Sequence, residues 1–406
     1  MSDLTEYSQT NGGPSTPLDI AALVSHPIQY QAPLFREIAA RDNVSLTVYF
    51  CSKRGVEEQV DQGFGTEITW DVPLLEGYDH SFLRNWSPLN TTSVGLFNPG
   101  VVRTLARSGH DALWVHGYAP ITNWLAFSTA RLVDLPIVLR GESTPLDEGS
   151  GIGSWGKHLL LTQLFDSVSA FAAIGSLNRS FYRNFGIPEE KLFHAPYTVD
   201  NSFFRETAQS LPPAATLKEE EGIDPDTPVA LFVGKLIERK RPSLLLEAFD
   251  RATNPGEATL LFVGDGPARE RLESAIDARG CASDVRLAGF KNQTELPRYY
   301  KLSDAFVLPS GAENWGLVVN EAMNFALPVV VSDAVGAGYD LVDEQNGHVV
   351  PTDDVASLAD ALADLFDSEA SREARGAVSA ERIRDWDIES TADGIVAATD
   401  YARSTD

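Results

Sequence analysis

Val229-Ala230-Leu231-Phe232-Val233-Gly234-Lys235-Leu236-Ile237-Glu238-Arg239-Lys240-Arg241-Pro242 reads as a buried strand, a glycine at its end, four cations within seven residues, and a proline opening a helix over Ser243 to Asp250. Backbone amides, the helix dipole and ammonium groups converge at such a junction, which suits an anion. A solvated basic loop is the plainer alternative, and the acidity of the rest of the chain weighs against it. A strand feeding directly into a helix is also the unit of a parallel sheet covered by helices.

The same rhythm runs outward in both directions. Downstream it predicts strands at Thr259 to Val263, Val285 to Ala288, Ala305 to Leu308 and Val329 to Val331. Upstream it predicts strands at Ile20 to Val24, Ser45 to Phe50, Ala112 to Val115, Ile137 to Leu139 and Ala170 to Ile174. Helices are predicted between them at Pro33 to Ala40, Pro120 to Val133, Trp155 to Ser169 and Ser176 to Phe185. With 406 residues the chain can hold two such units. The expected architecture is α/β, with two doubly wound Rossmann-like domains facing a central cleft. A polar lead-in over 1–17, reading as disordered, precedes a first domain over 18–205; a connection over 206–228 leads to a second domain over 229–385 and a final helix over 386–406. Between about 52 and 100 the pattern dissolves into Gly, Pro, Asn and aromatic residues, which is the mark of a functional loop. Leu159, Leu160, Gln163, Leu164, Ser167 and Phe171 recur at helical spacing and read as core.

Composition narrows the function. The chain carries 32 basic and 58 acidic residues, a formal charge of −26, and only eight of the cations are Lys. Nucleic acid is excluded as the natural partner, because that affinity comes from Lys and Arg neutralising phosphates. Acid-rich, Lys-poor surfaces fit halophilic proteins in molar salt, where self-repulsion is screened; an acidic mesophilic enzyme is the alternative. Cys51 and Cys281 are isolated, as in a reducing cytosol. No window reaches about 18 uninterrupted apolar residues, so the expectation is a cytoplasmic protein with at most peripheral membrane contact. No metal-ligand spacing or P-loop is present, and Gly264-x-Gly266 followed by Arg269 lacks the third glycine of a dinucleotide fingerprint.

A second constellation, Glu313-Asn314-Trp315-Gly316-Leu317-Val318-Val319-Asn320-Glu321, follows the strand Ala305 to Leu308. Its helix is expected to start at Trp315 or Gly316, so that the amides of Gly316, Leu317 and Val318 face an anion. Taken with Gly234 to Lys240, this resembles the G-[RK]-L-x-x-x-K and E-x7-E elements of retaining family 4 glycosyltransferases of the two-domain B fold. Val263 to Pro267 and Leu287 to Phe290 fall where that family places further loops.

The resemblance implies roles residue by residue. Gly234, Lys235 and Lys240 would hold the diphosphate of a nucleoside-diphosphate-sugar donor, UDP- or GDP-linked, and Glu321 would accept from its ribose hydroxyls. Glu313 would lie against the transferred sugar, Gly316, Leu317 and Val318 would offer amides to phosphate, and Phe290 and Lys291 would read the base. His116, at a strand end, matches the family's histidine facing the sugar. In the first domain His26, Gln29, Arg140 and Glu142 are candidates for the acceptor, a carbohydrate or lipid-linked glycan, with loops around Phe64 to Pro99 shaping its pocket. Lys235 stands where Arg is usual and Arg241 where glycine is usual, which leaves the shape of that loop open. The expected activity is sugar transfer to a hydroxyl with retention of configuration and no metal or other cofactor. An epimerase or sugar phosphorylase on the same fold, or a non-catalytic nucleotide-sugar-binding scaffold, are the alternatives.

Overall fold

A computed structural model describes residues 17–57, 59–61, 66–68, 70–87, 95–147 and 152–405. All but the last residue of the polar lead-in, and parts of the Phe64 to Pro99 stretch, lie outside them. Two parallel sheets form the frame. In the first, β1 (Leu18–Val24), β2 (Val44–Phe50), β3 (Asp79–Phe82), β4 (Ala112–His116), β5 (Ile137–Arg140), β6 (Ala170–Ala173) and β7 (Leu192–His194) are ordered β3-β2-β1-β4-β5-β6-β7. In the second, β8 (Val229–Val233), β9 (Thr259–Val263), β10 (Val285–Gly289), β11 (Ala305–Leu308), β12 (Val329–Ser332) and β13 (Gly347–Val350) are ordered β10-β9-β8-β11-β12-β13. Each order reverses once, between β1 and β4 and between β8 and β11, and such switch points open a crevice at the carboxyl ends of the strands.

The central strands β8, β9 and β11 are buried throughout, as runs covered on both faces should be. The 52–100 stretch is less irregular than its composition predicts. Asp79–Phe82 pairs in parallel with Thr47 to Phe50 at the sheet edge, and Leu74 and Tyr78 join the core. Its largely exposed Asp-His-Ser-Phe sequence carries no apolar alternation, which is why the strand is silent in the sequence. The helix Ile152–Phe165 corrects a second expectation. It buries Leu161, Leu164 and Phe165 but exposes Gln163 and leaves Leu159 and Leu160 about half exposed, at 48% and 49%.

Residues 206–228 are structured. Helices α1 (Asn201–Ser210) and α2 (Ala214–Glu220) occupy them, and Leu217 enters the core of the second domain. Lys218 is held there by Asp304 at 2.8 Å. The last helix, α3 (Ile388–Thr405), returns to the first domain and buries Ala392, Ile395, Ala398 and Ala402 beside its sheet. Where it crosses, Trp386 stacks on Trp315 at 5.0 Å and its carbonyl accepts from Asn201 Nδ2 at 3.0 Å. Further ties join the halves: Ser176 N–H donates to Asp340 Oδ2 at 2.9 Å, and Asn320 Nδ2 to the Tyr197 carbonyl at 3.0 Å. Among the described residues no helix is long and apolar enough to cross a membrane.

Candidate functional site

Sequence forces a tight loop after β8. Gly234 N–H donates to Val263 O at 2.9 Å, and Leu236 N–H to Asp265 O at 2.9 Å, so the loops after β8 and β9 lie backbone to backbone. A Cβ on Gly264 would stand 1.9 Å from Gly234 O, and its φ of 140° is closed to most side chains; only glycine fits. The chain then makes a single turn over Glu238–Lys240 and enters the helix Pro242–Ala252. That turn swings Lys240 inward, where it is 9% exposed and its Nζ lies 2.5 Å from Glu313 Oε2. Lys235 stays half-buried on the same loop.

The Glu313 segment is fixed from two sides. Glu313 N–H donates to Ala334 O at 2.9 Å and Arg239 Nη1 to Ala312 O at 2.6 Å. Gly316, at φ 98°, caps a seven-residue helix, Leu317–Met323, which starts just after the expected Trp315 or Gly316. That places Leu317 and Val318 in its first turn and Glu321 a turn further on. Glu321 is buried, its Oε2 accepting from Tyr300 Oη at 2.6 Å. Burial pushes this carboxyl up to about 7, against the opposing pull of the Tyr300 hydrogen bond. Phe290 and Lys291 follow β10 at the neighbouring strand end, with Lys291 Nζ 5.4 Å over the Tyr299 ring.

Arg241 takes the left-handed conformation, φ 57° and ψ 42°, which explains why glycine is usual there. Its side chain ion-pairs with Asp353, Nε to Oδ1 at 2.6 Å, and its guanidinium lies over Gly311. The loop therefore keeps a glycine-like shape with a charged residue in place.

Opposite, at the first sheet's carboxyl ends, His116 and Arg140 are register partners on β4 and β5. His116 Nδ1 meets Gln31 Nε2 at 3.2 Å, and burial, with Arg140 adding to it, lowers its pKa well below the ordinary value. Arg140 does not pair with Glu142. Its Nη2 donates to the carbonyls of Ala195 (3.3 Å) and Pro196 (3.1 Å), and its guanidinium lies over the Tyr197 ring at 5.3 Å. Glu142 is exposed and accepts from Tyr197 Oη at 2.6 Å. Tyr30 meets Tyr197 edge to face at 5.7 Å; burial raises its pKa first, and the charges of Glu142 and Glu313 raise it further. Tyr30 also packs against the core of the second domain. His26 sits on the β1 loop, its Nδ1 2.9 Å from Ser25 Oγ.

Buried polar atoms without a protein partner collect on these walls: Gln29 Oε1, Gln31 Oε1, His116 Nε2, Arg140 Nε and Ser310 Oγ. Native interiors leave few such atoms, and a polar ligand or water is what such atoms would take. Gln31, Tyr30, Tyr197, Tyr300 and Ser310 are absent from the candidates drawn from the sequence. Tyr30 and Gln31 lie beside the candidates His26 and Gln29 and could have been read with them; Tyr197, Tyr300 and Ser310 have no local signal, because chain crossings bring them in.

Residues 214–382 match the family of glycosyl transferases group 1. An α-D-kanosaminyltransferase of Streptomyces kanamyceticus is 33% identical over 46% of this chain and 48% of its own length. The chain thus spans about half of that relative. A D-inositol 3-phosphate glycosyltransferase of Xylanimonas cellulosilytica is 28% identical over 72% of this chain and 73% of that one. Among solved structures, Anabaena Alr3699/HepE in complex with UDP superposes with a TM-score of 0.73 at 17% identity, covering 94% of this chain and 99% of that one.

Proposed function

We propose that the chain is a glycosyltransferase of the two-domain B fold, as its family match over 214–382 and its relatives support, and that it moves a hexosyl group from a nucleoside-diphosphate-sugar to a hydroxyl of a carbohydrate or lipid-linked acceptor, with retention of configuration. The observation that carries this reading is the Lys240–Glu313 pair at 2.5 Å, set at the second sheet's switch point across from the unpartnered polar atoms of Gln29, His116 and Arg140. Lys235 and Lys240 neutralise the diphosphate, and charge developing on it as the sugar leaves is the largest quantity the site has to stabilise. These ammonium groups do the work of a metal, so transfer proceeds in the presence of a chelator. Glu313, held by Lys240, accepts from hydroxyls of the transferred sugar, and Glu321 accepts from the ribose. The UDP in the Anabaena neighbour favours a uridine donor over a guanosine one. Retention follows if the acceptor enters on the face that the diphosphate leaves, with a phosphate oxygen taking its proton. The charge of −26 fits an enzyme working in molar salt.

Calorimetric titration of UDP, GDP and ADP and their sugar conjugates in molar KCl, on the wild type and on Glu321→Ala, tests the reading. Selective binding to the wild type that Glu321→Ala loses supports it. A folded wild type that binds none of them overturns it.

A further inference from the structure

Gln31 precedes the first helix of the described residues, Ala32–Ala39, and is 4% exposed. Its own backbone is pinned, the N–H donating to Ile28 O at 3.1 Å and the carbonyl accepting from Phe35 N–H at 3.0 Å. From this fixed base the side chain reaches across to the end of β4 and places Nε2 3.2 Å from His116 Nδ1. With the Gln31 amide in this orientation its nitrogen donates and Nδ1 accepts, and a neutral imidazole that accepts at one nitrogen carries its proton on the other. We propose that Gln31 is a positioning residue that locks His116 as the Nε2–H tautomer, so that the ring presents a single hydrogen-bond donor to an oxygen of the transferred sugar.

Three further observations fit. His116 Nε2 is buried and has no partner in the protein, so it is a donor awaiting an acceptor. Asn123 Nδ2 donates to the His116 carbonyl at 3.0 Å and Trp114 packs 5.1 Å from the imidazole, which fixes where the ring points. Burial and the nearby Arg140 keep the ring uncharged at neutral pH. The consequence is chemical: with its proton on Nε2 and its Nδ1 lone pair occupied by Gln31, His116 cannot take the proton of the attacking hydroxyl. It orients the sugar and leaves deprotonation to another group. What the donor hydrogen bond does rests on the transferase reading; where the proton sits does not.

The test is long-range 15N–1H correlation spectroscopy of histidine-labelled protein at pH 7.5 without nucleotide, with the His116 signals assigned by their loss in His116→Asn. The expected pattern is that of a neutral ring protonated at Nε2. In Gln31→Glu the carboxylate can only accept, so a proton should move onto Nδ1, and kcat/KM should fall roughly tenfold, the size of one lost neutral hydrogen bond. A wild-type ring protonated at Nδ1, or a Gln31→Glu ring unchanged from the wild type, overturns the proposal. If Gln31→Glu does not fold, the wild-type spectrum decides alone. A wild type that shows the Nε2–H pattern yet binds no nucleotide would leave the tautomer standing and remove the transferase reading.

Discussion

On the second-domain face of the cleft, Lys240 and Glu313 arrive from two short contiguous segments, each placed by a tight turn after a central strand. On the first-domain face, Tyr30, His116, Arg140, Glu142 and Tyr197 arrive from the ends of four different strands and hold one another by hydrogen bonds and ring contacts. The second-domain face is set by local geometry, a glycine, a turn and a cap, which few sequences satisfy. The first-domain face is set by packing between distant residues, which many combinations satisfy. A face built from short fixed segments suits the part of a reaction that does not vary, which on the proposed reading is the diphosphate. A face built by mutual support can change with the acceptor while the scaffold stays.

The sharpest way to break this contrast is Lys240→Ala. If the short segments carry the chemistry, removing the ammonium next to the leaving diphosphate should lower kcat by about 10² to 10³, the scale of one lost preorganised charge contact. Circular dichroism should show the fold retained, because the rest of the loop is held by backbone hydrogen bonds. A rate within threefold of the wild type, with the same result for Glu321→Ala, would sink the assignment of this face as the donor site.

Glu321 sharpens the comparison through pH. Its carboxyl titrates at about 7 in the fold because it is buried, above the 4.5 of an exposed glutamate. On the proposed reading ribose hydroxyls donate to the ionised form, so the nucleotide would have to draw off the proton. Affinity should therefore rise about tenfold from pH 6 to pH 8, and Glu321→Gln should keep only the part due to the nucleotide's own phosphate. The sign for stability is opposite. The folded chain holds this proton more tightly than the unfolded chain, so the contribution is fully present below pH 4.5 and is lost as pH rises through 7. Calorimetry for binding and denaturant unfolding for stability, across the same pH range, separate the two.

How much of this was legible follows the same division. Gly234 and Lys240 could be read because a strand end, a glycine and a charge within a few residues leave little freedom, whereas Glu313 and Glu321 were singled out only through the resemblance their spacing carries. Both sheets' central strands were legible as apolar runs. The strand Asp79–Phe82 was not, because an edge strand with exposed side chains needs no alternation. Nor was the exposure of Leu159 and Leu160, since three consecutive leucines cannot all face one core and the sequence does not say which one turns inward. Tyr197 was silent because its partners Glu142, Tyr30 and Arg140 lie 55 or more residues away in sequence.

Tyr197→Phe tests the mutual support directly. It removes the hydroxyl that donates to Glu142 and leaves the ring under Arg140. Because Glu142 is exposed, the loss should be about 1 kcal/mol of stability, lowering the unfolding midpoint by about 2–4 °C. Donor binding should be unchanged and acceptor KM raised. A fall in nucleotide affinity as large as that of Glu321→Ala would erase the distinction between the faces.

The smallest effect is expected at Arg241, where the second-domain face itself departs from local necessity. A left-handed non-glycine residue costs roughly 1 kcal/mol, and Arg241→Gly would relieve it. The same change loses a partly exposed ion pair with Asp353, of the order of 0.2–1 kcal/mol. It also gives the unfolded chain more freedom, which costs about 0.4–1 kcal/mol. These contributions nearly cancel, so the unfolding free energy should shift by less than about 1 kcal/mol, slightly downward at low salt. In molar KCl the ion pair is screened and its loss counts for less, so the variant should gain on the wild type as salt rises. If Arg241→Gly instead weakened nucleotide binding tenfold at every salt concentration, the Arg241 guanidinium over Gly311 would have to be placed among the groups that hold the diphosphate, and the cation at this position would belong to the donor site rather than to the shape of its loop.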